Sequence, residues 1–569
     1  MMAEVLIVGA GPTGLTLACE LAWRGVGVRV IDRRPEPSRY SKAIGVFPRT
    51  LELLENHGAA DEMVREGVRV RGINLHSGSR RLVRIDTGRI DSRYGYVLTI
   101  EQSVTERILL KRLADLGVEV ERGVELVGLR QESDAVRVAL ERASDQADAG
   151  RETASVPWVV GCDGARSFVR EAAGVSFEGE RYQEAFDLAD VELRWDLPGA
   201  HDHINVFLST SGVLFAAPLP GGKQRLIADE PPGSADDEST DPTLGEFRRW
   251  WRERVRYQPA REAELANPGW LSRFTIQRRV VPKAREGRVL LAGDAMHVHS
   301  PAGAQGMNGG IQDAINLGWK LALVAQGHAS EVLLDTYTEE RLPVARKVLK
   351  ATHLGTTVLT TRSSVLGSLR NSVISVVLRS GAVQKRAVNT AAELRVNYRR
   401  SPIVSGEGGN RLVRTVRALV DRTSVLNAGD RAPDIALAGS EAGRLYDLLR
   451  HPGHTLLAFA GELPSAEILR RVAEVVAGVA GEGYGDLVRG YAVVAGTDTP
   501  SERIGVGALI WDPDGAAHAH YGMREAGLCL IRPDRYVALR TRTLDAGNLH
   551  RYLRKVFSHE QHQAKAGAR

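Results

Sequence analysis

The stretch Val5-Leu6-Ile7-Val8-Gly9-Ala10-Gly11-Pro12-Thr13-Gly14 opens the chain with an apolar run, three spaced glycines and the start of a helical pattern. The helical pattern continues to Trp23, Gly25 stops it, and Val26–Ile31 reads as the next strand, ending at Asp32. Each glycine has its own task in such a turn: Gly9 permits the tight bend, Gly11 lets the backbone approach a pyrophosphate, and Gly14 lets helix and strand pack closely. The helix that begins at Pro12 and Thr13 adds unpaired N–H groups and a positive dipole end. Asp32 is placed to accept hydrogen bonds from an adenosine ribose. Arg33 reads equally well as a contact to that ribose or its phosphate and as a surface arginine. Strand, glycines, helix, strand and acid in this order predict a Rossmann-like dinucleotide-binding unit.

Two later stretches repeat the theme of a strand that ends in a small-residue turn. Val289–Ala292 leads into Gly293-Asp294-Ala295, then a loop holding Pro301, Gly303, Gly306, Met307 and Asn308, and then a helical period from Ile311. Such a loop presents backbone N–H groups to a flat polar ligand. Trp158–Gly161 similarly leads into Cys162-Asp163-Gly164-Ala165-Arg166-Ser167 and a helix start. Alone, this Asp-Gly would read as an ordinary turn.

Smaller signals lie between these stretches. Pro48 can start a helix, and Arg49 beside it either reaches a cofactor or pairs with Glu52 one turn on. Ser103 and Glu106 resemble a capping box, and Gln102 just before them is either a cofactor contact or a cap-region glutamine. His297 and His299 lack a third ligand nearby, so no metal site is expected; His297 reads as a structural histidine with a general-base role open.

Length and composition bound the rest. At 569 residues, 43% hydrophobic and 25% charged, the chain is expected to hold several globular domains. Its net charge of +5 comes from basic residues spread along the chain, which excludes nucleic acid as the natural partner. Cys19, Cys162 and Cys529 are widely separated and form no CxxC, so neither a disulfide framework nor a zinc site is expected. Glu4 stands where a signal peptide would be basic, and no long uncharged run offers a membrane span, so the expectation is a cytoplasmic protein without membrane attachment.

The domain layout follows from pattern changes. Residues 1–75, 100–180 and 280–345 form a discontinuous nucleotide-binding domain. Residues 76–99 and 181–279 form an inserted antiparallel sheet for the substrate, 346–424 a helical connector, and 425–569 a compact α/β domain. The segment 143–155 reads as a polar loop or hairpin tip.

Taken together, the three motifs resemble the flavoprotein aromatic hydroxylases of the para-hydroxybenzoate hydroxylase type. More narrowly, the chain resembles bacterial polyketide hydroxylases with a thioredoxin-like C-terminal domain. The resemblance implies an α/β fold: a Rossmann-like FAD-binding domain, the inserted substrate sheet and a thioredoxin-like domain lacking CxxC. By resemblance, Gly9, Gly11, Pro12, Thr13 and Gly14 hold the FAD pyrophosphate, and Asp32 holds the adenosine ribose. Asp294 binds the ribityl and pyrophosphate region, and the loop from Pro301 through Gly303, Gly306 and Met307 to Asn308 lies against the flavin ring. Asp163 is implied in FAD and NAD(P)H handling, with Arg49 and Gln102 as further flavin contacts. Asp32 stands where glutamate is frequent, and Ser300 and Ala304 replace residues that are often proline and glycine.

The implied activity is an NADPH- or NADH-consuming hydroxylation of a polycyclic aromatic substrate by O2 through a flavin C4a-hydroperoxide. A Baeyer–Villiger oxygenation of a polycyclic ketone or quinone uses the same scaffold. A flavin-binding protein or reductase without oxygenase activity is the reading from another class. Catalytic residues on the substrate side carry no spacing signature, and a homodimer is a further expectation.

Overall fold

The computed structural model describes residues 3–38, 43–142, 150–230, 241–299, 305–360, 362–406, 426–437, 443–479, 484–496 and 509–557. Its chain divides into two compact units, 1–315 with 341–394 and 316–340 with 395–569.

The first unit is organised on a six-stranded sheet whose order is Arg285–Glu286, Val289–Leu291, Trp158–Gly161, Val5–Val8, Val28–Asp32, Val120–Arg122. Only the Arg285–Glu286 strand is antiparallel to its neighbour. The central strands are apolar at every position, as a parallel sheet covered on both faces requires: Val5, Leu6, Ile7, Val159, Val160 and Leu290 are all inaccessible to solvent. From Val5–Val8 the chain crosses by the helix Pro12–Trp23 to Val28–Asp32 on one side, while Trp158–Gly161 lies on the other. Strand order therefore reverses at Val5–Val8, and ligands bind at such switch points, beyond the carboxyl ends of the strands.

An eight-stranded sheet carries the second layer, ordered 297–298, 264–280, 178–194, 223–229, 212–218, 203–209, 72–77, 80–86. Its pairs are antiparallel except for Gly72–Ser77 beside His203–Ser209, which run parallel. The sheet takes in Gly72–Ser77 and His297–Val298, so it reaches past the boundaries read from the sequence into segments assigned there to the nucleotide domain. The helix Leu244–Arg254 closes one face. Its Phe247, Trp250 and Trp251 pack on Phe207, Leu214 and Leu226 of the sheet. A capping box joins Thr243 and Glu246 at its start.

Local readings also needed correction. The Ser103–Glu106 capping box is not formed: the helix Gln102–Asp115 is capped from Glu101 without a side-chain bond, and Glu106 accepts from Gln102 instead. Of the segment read as a polar loop or hairpin tip, the second half is the returning strand of a hairpin, Arg151–Val156, antiparallel to Val136–Arg142, so the strand runs further than that reading allowed. Residues 143–149, in the first half of that segment, lie outside the described residues.

In the stretch read as the helical connector, Val332–Leu359, Ser364–Val377 and Gly381–Ala391 are helices. Residues 407–425 lie outside the described residues.

The second unit holds a six-stranded mixed sheet, ordered 405–406, 537–541, 527–531, 454–459, 488–495, 509–512. Its core contains Tyr446, Phe459, Tyr521 and Cys529. Burial pushes the Cys529 thiol up to about 12, so it is a packed apolar side chain without redox reactivity. The unit also encloses an ionic group in which Glu340 accepts from Lys320 at 2.8 Å and from Arg532 at 2.6 Å.

Candidate active site

The three glycine motifs follow the carboxyl ends of three adjacent parallel strands, Val5–Val8, Trp158–Gly161 and Val289–Leu291. This common edge makes one site out of motifs that are nearly three hundred residues apart in the chain.

Gly9 has φ +104°, and a Cβ there would lie 2.4 Å from the Cys162 carbonyl oxygen. A Cβ on Gly14 would lie 2.0 Å from the Gly9 carbonyl oxygen. Gly9 is thus demanded by its own left-handed backbone and by the Cys162 carbonyl behind it, and Gly14 by the Gly9 carbonyl within the same turn. Gly11 differs, since a Cβ there meets nothing within 4 Å. The open space at Gly11 lies beside the start of a helix with Pro12 in its first turn and no acidic residue there. That is the donor set and clearance a pyrophosphate needs.

Thr13 links the first motif to the third. Cβ atoms on Gly293 and Gly310 would lie 2.5 and 2.3 Å from its Oγ1. Its side chain thus fills the notch between the Gly293–Ala295 turn and the first turns of the Gly306–Ala325 helix.

Asp32 sits at the end of its strand, where Oδ2 accepts from the Ala10 N–H at 2.8 Å and Oδ1 from the Arg34 N–H at 2.9 Å. Its carboxylate is anchored to the glycine turn. Arg33 points to solvent and faces Glu125 at 3.7 Å, the surface-arginine reading. Arg49 is fully buried, with Nη1 3.1 Å from Glu52, so the pairing reading describes its geometry. Gln102 donates to Glu106 at 2.9 Å.

Asp163 accepts the Val169 N–H on Oδ2 at 3.1 Å, while Oδ1 is buried without a partner among the described residues. Burial raises its pKa above the usual carboxylate range, against the hydrogen bonds it accepts. A buried oxygen with spare acceptor capacity suits a ligand hydroxyl or N–H. Asp294 is exposed in its turn. These features fit FAD: open backbone at Gly11, a ribose-side acid at Asp32, and acceptors at Asp163 and Asp294.

The third motif is placed differently from its sequence reading. Asn308 belongs to the helix, which starts at Gly306, and is fully buried. Its Oδ1 accepts from the Phe47 N–H and its Nδ2 donates to the Gly45 carbonyl, both at 2.8 Å. Asn308 is therefore a clamp on the 45–47 backbone, with its side-chain amide spent on protein partners. Met307 is also buried in that first turn. Pro301 and Gly303, with Ser300 and Ala304, lie outside the described residues. His297 bonds Asp313 through Nε2 at 2.8 Å, the structural role read from the sequence. No cluster of metal-ligating side chains occurs among the described residues.

The fold and this edge are those of a dinucleotide-binding flavoprotein, and sequence comparison identifies it as a monooxygenase. The FAD binding domain family matches residues 2–352, and the aromatic-ring hydroxylase C-terminal family matches residues 426–559. The chain belongs to this family of FAD-dependent aromatic-ring hydroxylases. It is 38% identical over 550 residues to 6-methylpretetramide 4-monooxygenase of Streptomyces rimosus, covering 94% of this chain and 90% of that protein. It is 34% identical to pentachlorophenol 4-monooxygenase of Sphingobium chlorophenolicum, covering 96% and 95% of the two chains. The structure of aklavinone-11 hydroxylase with FAD and aklavinone superposes with a TM-score of 0.75 at 26% identity, over 98% of this chain and 99% of that one.

Proposed function

We propose that this enzyme hydroxylates a phenolic ring of a polycyclic, polyketide-type aromatic compound in the cytoplasm. One atom of O2 enters the ring, the other leaves as water, and NADPH or NADH supplies the two electrons. The observation that carries this reading is the convergence of the three motif turns on one sheet edge. Support for the substrate class comes from relatives named 6-methylpretetramide 4-monooxygenase and 12-dehydrotetracycline 5-monooxygenase/anhydrotetracycline 6-monooxygenase.

The chemistry supplied by FAD when bound is electron transfer from the nicotinamide and activation of O2. The chain's own residues bind and orient. N–H groups at the start of the Pro12–Trp23 helix hold the pyrophosphate, and Asp32 takes the adenosine ribose. Asp163 and Asp294 accept hydrogen bonds from the rest of the cofactor. With FAD bound, the positive end of the Gly306–Ala325 helix would favour negative charge on the flavin, an effect of about 0.3–1 kcal/mol when exposed and up to ~2 kcal/mol when partly buried. An open surface groove of about 520 Å³, lined by Gln305, Ala351, Thr352, Val383, Arg386 and Ala387 among others, lies beside the start of this helix.

The test is reconstitution with FAD, followed by NAD(P)H-dependent O2 uptake on a panel of polycyclic phenols and quinones under 18O2. One labelled oxygen in a ring hydroxyl is the expected result. Label in a new lactone or ester would replace hydroxylation by Baeyer–Villiger chemistry. Failure to take up FAD would end the proposal.

A further inference from the structure

Behind the Gly293 turn lies a buried group of charged side chains with no task in the reading above. Asp313 is fully buried on the Gly306–Ala325 helix. Its Oδ2 accepts from the Gly293 N–H at 3.3 Å and from His297 Nε2 at 2.8 Å, and its Oδ1 accepts from Arg341 Nε at 2.6 Å. Arg341 also donates to the Gly309 carbonyl at 3.2 Å. One carboxylate and one guanidinium thus hold the backbone of both turns that would face the flavin ring.

Glu393 completes the group. It is buried, and its carboxylate accepts from the Gln312 side-chain amide. Its backbone has φ +61°, directly after the Gly381–Ala391 helix. The helix end is closed by bonds from Glu393 N–H to the Thr390 carbonyl and from Leu394 N–H to the Asn389 carbonyl, both at 3.1 Å. A left-handed residue in this position is ordinarily glycine or asparagine. The turn alone does not call for glutamate, so the strained residue is explained by where its carboxyl goes.

The charges of the group decide its behaviour. Burial opposes ionisation of Asp313, but Arg341 and His297 outweigh it and hold its pKa below the usual range. Asp313 and Arg341 therefore cancel. Burial pushes Glu393 up to about 7, only partly offset by Arg341 and Gln312. His299 stacks on His297 at 6.2 Å, and the buried Cys162 thiol, which also faces Asp313, stays protonated. With Asp313 and Arg341 paired, one proton remains on the buried Glu393 carboxyl. Its loss leaves an uncompensated negative charge in the protein interior.

We propose that Asp313, Arg341, His297 and Glu393 form a proton-holding positioning cluster for FAD. Asp313 and Arg341 fix the Gly293 and Gly309 backbone, and the proton kept by Glu393 sets the affinity for the anionic cofactor. This inference rests on the FAD site proposed above.

The experiment titrates full-length apoprotein with FAD by flavin fluorescence from pH 5.5 to 9. Proton uptake on binding is measured by calorimetry in two buffers of different ionisation enthalpy. If binding raises the cluster's pKa by a half to one unit, the wild-type Kd rises about three- to tenfold across the titration. Glu393→Gln removes the dependence and keeps the low-pH affinity. Glu393→Gly suits the left-handed backbone and also gives a flat profile, whichever variant folds better. A wild-type pH slope in either variant overturns the proposal, as does FAD binding by the wild type without proton uptake near pH 7. Wild-type apoprotein that binds no FAD at any pH overturns the site itself, and this inference with it.

Discussion

Thr13 ties the first glycine motif to the third, and Gly310→Ala tests that link. In an isolated helix this change is favourable, because alanine gains about 1 kcal/mol over glycine. Here the new methyl would lie 2.3 Å from Thr13 Oγ1, with Gly293 Cα at 3.3 Å behind it. Forcing a methyl into such a contact costs about 1–3 kcal/mol, enough to reverse the propensity gain. The single variant is expected to be destabilised by about 1 kcal/mol net, which in a unit larger than about 250 residues lowers Tm by roughly 1–2 °C. Thr13→Ala removes the obstructing atoms, so in that background Gly310→Ala stabilises. The double-mutant cycle should return a coupling of about 1–3 kcal/mol. The assay is thermal unfolding of the apoprotein for all four members of the cycle. A Gly310→Ala chain that melts above the wild type, or a double variant showing no coupling, would refute the interlock.

Three further outcomes follow from the same geometry. Asn308→Ala strips the partners from the buried Phe47 N–H and Gly45 carbonyl; each orphaned group costs about 1–3 kcal/mol, so the apoprotein should melt several degrees lower, and an unchanged Tm contradicts the clamp. Gly11→Ala adds a methyl into open space, so it should leave the Tm of the apoprotein unchanged while weakening FAD binding measured by fluorescence titration. Equal FAD affinity in that variant would remove Gly11 from the pyrophosphate site. Burial raises Asp187 to about 7, against its bond to Arg273 and with Glu230 beside it. Between the ordinary carboxylate range and pH 7 the native state therefore holds more protons than the unfolded chain, and stability falls as pH rises through that window. Asp187→Asn should flatten this part of a urea-midpoint profile measured from pH 4 to 8, and an unaltered slope counts against the assignment.

The turn chemistry of the site was readable because it is local. Gly9, Gly14 and Gly293 are fixed by the backbone paths of single turns, and Asp32 by the end of its own strand. The helices Pro12–Trp23 and Leu244–Arg254 likewise declare themselves by periodicity and caps. The strand Glu264–Val280 did not, because its polar residues and the Asn267-Pro268-Gly269 interruption hide a 17-residue element that its long pairing with Glu178–Arg194 sustains.

What the sequence determined alone is a set of turns able to face a dinucleotide, and, through resemblance, the kind of chemistry they serve. Tertiary structure decided which side chains face a ligand and which are spent on the protein. The Asn308 side-chain amide is taken up by Phe47 and Gly45, and Arg33 reaches Glu125 at the surface. Thr13 gained its second role only when Gly293 and Gly310 were brought against it. Glu393 carried no signal, since its carboxyl acquires meaning only beside Gln312, Asp313 and Arg341. A turn's backbone needs are set by its immediate neighbours, whereas a buried polar side chain answers to whichever partners folding places within hydrogen-bond reach.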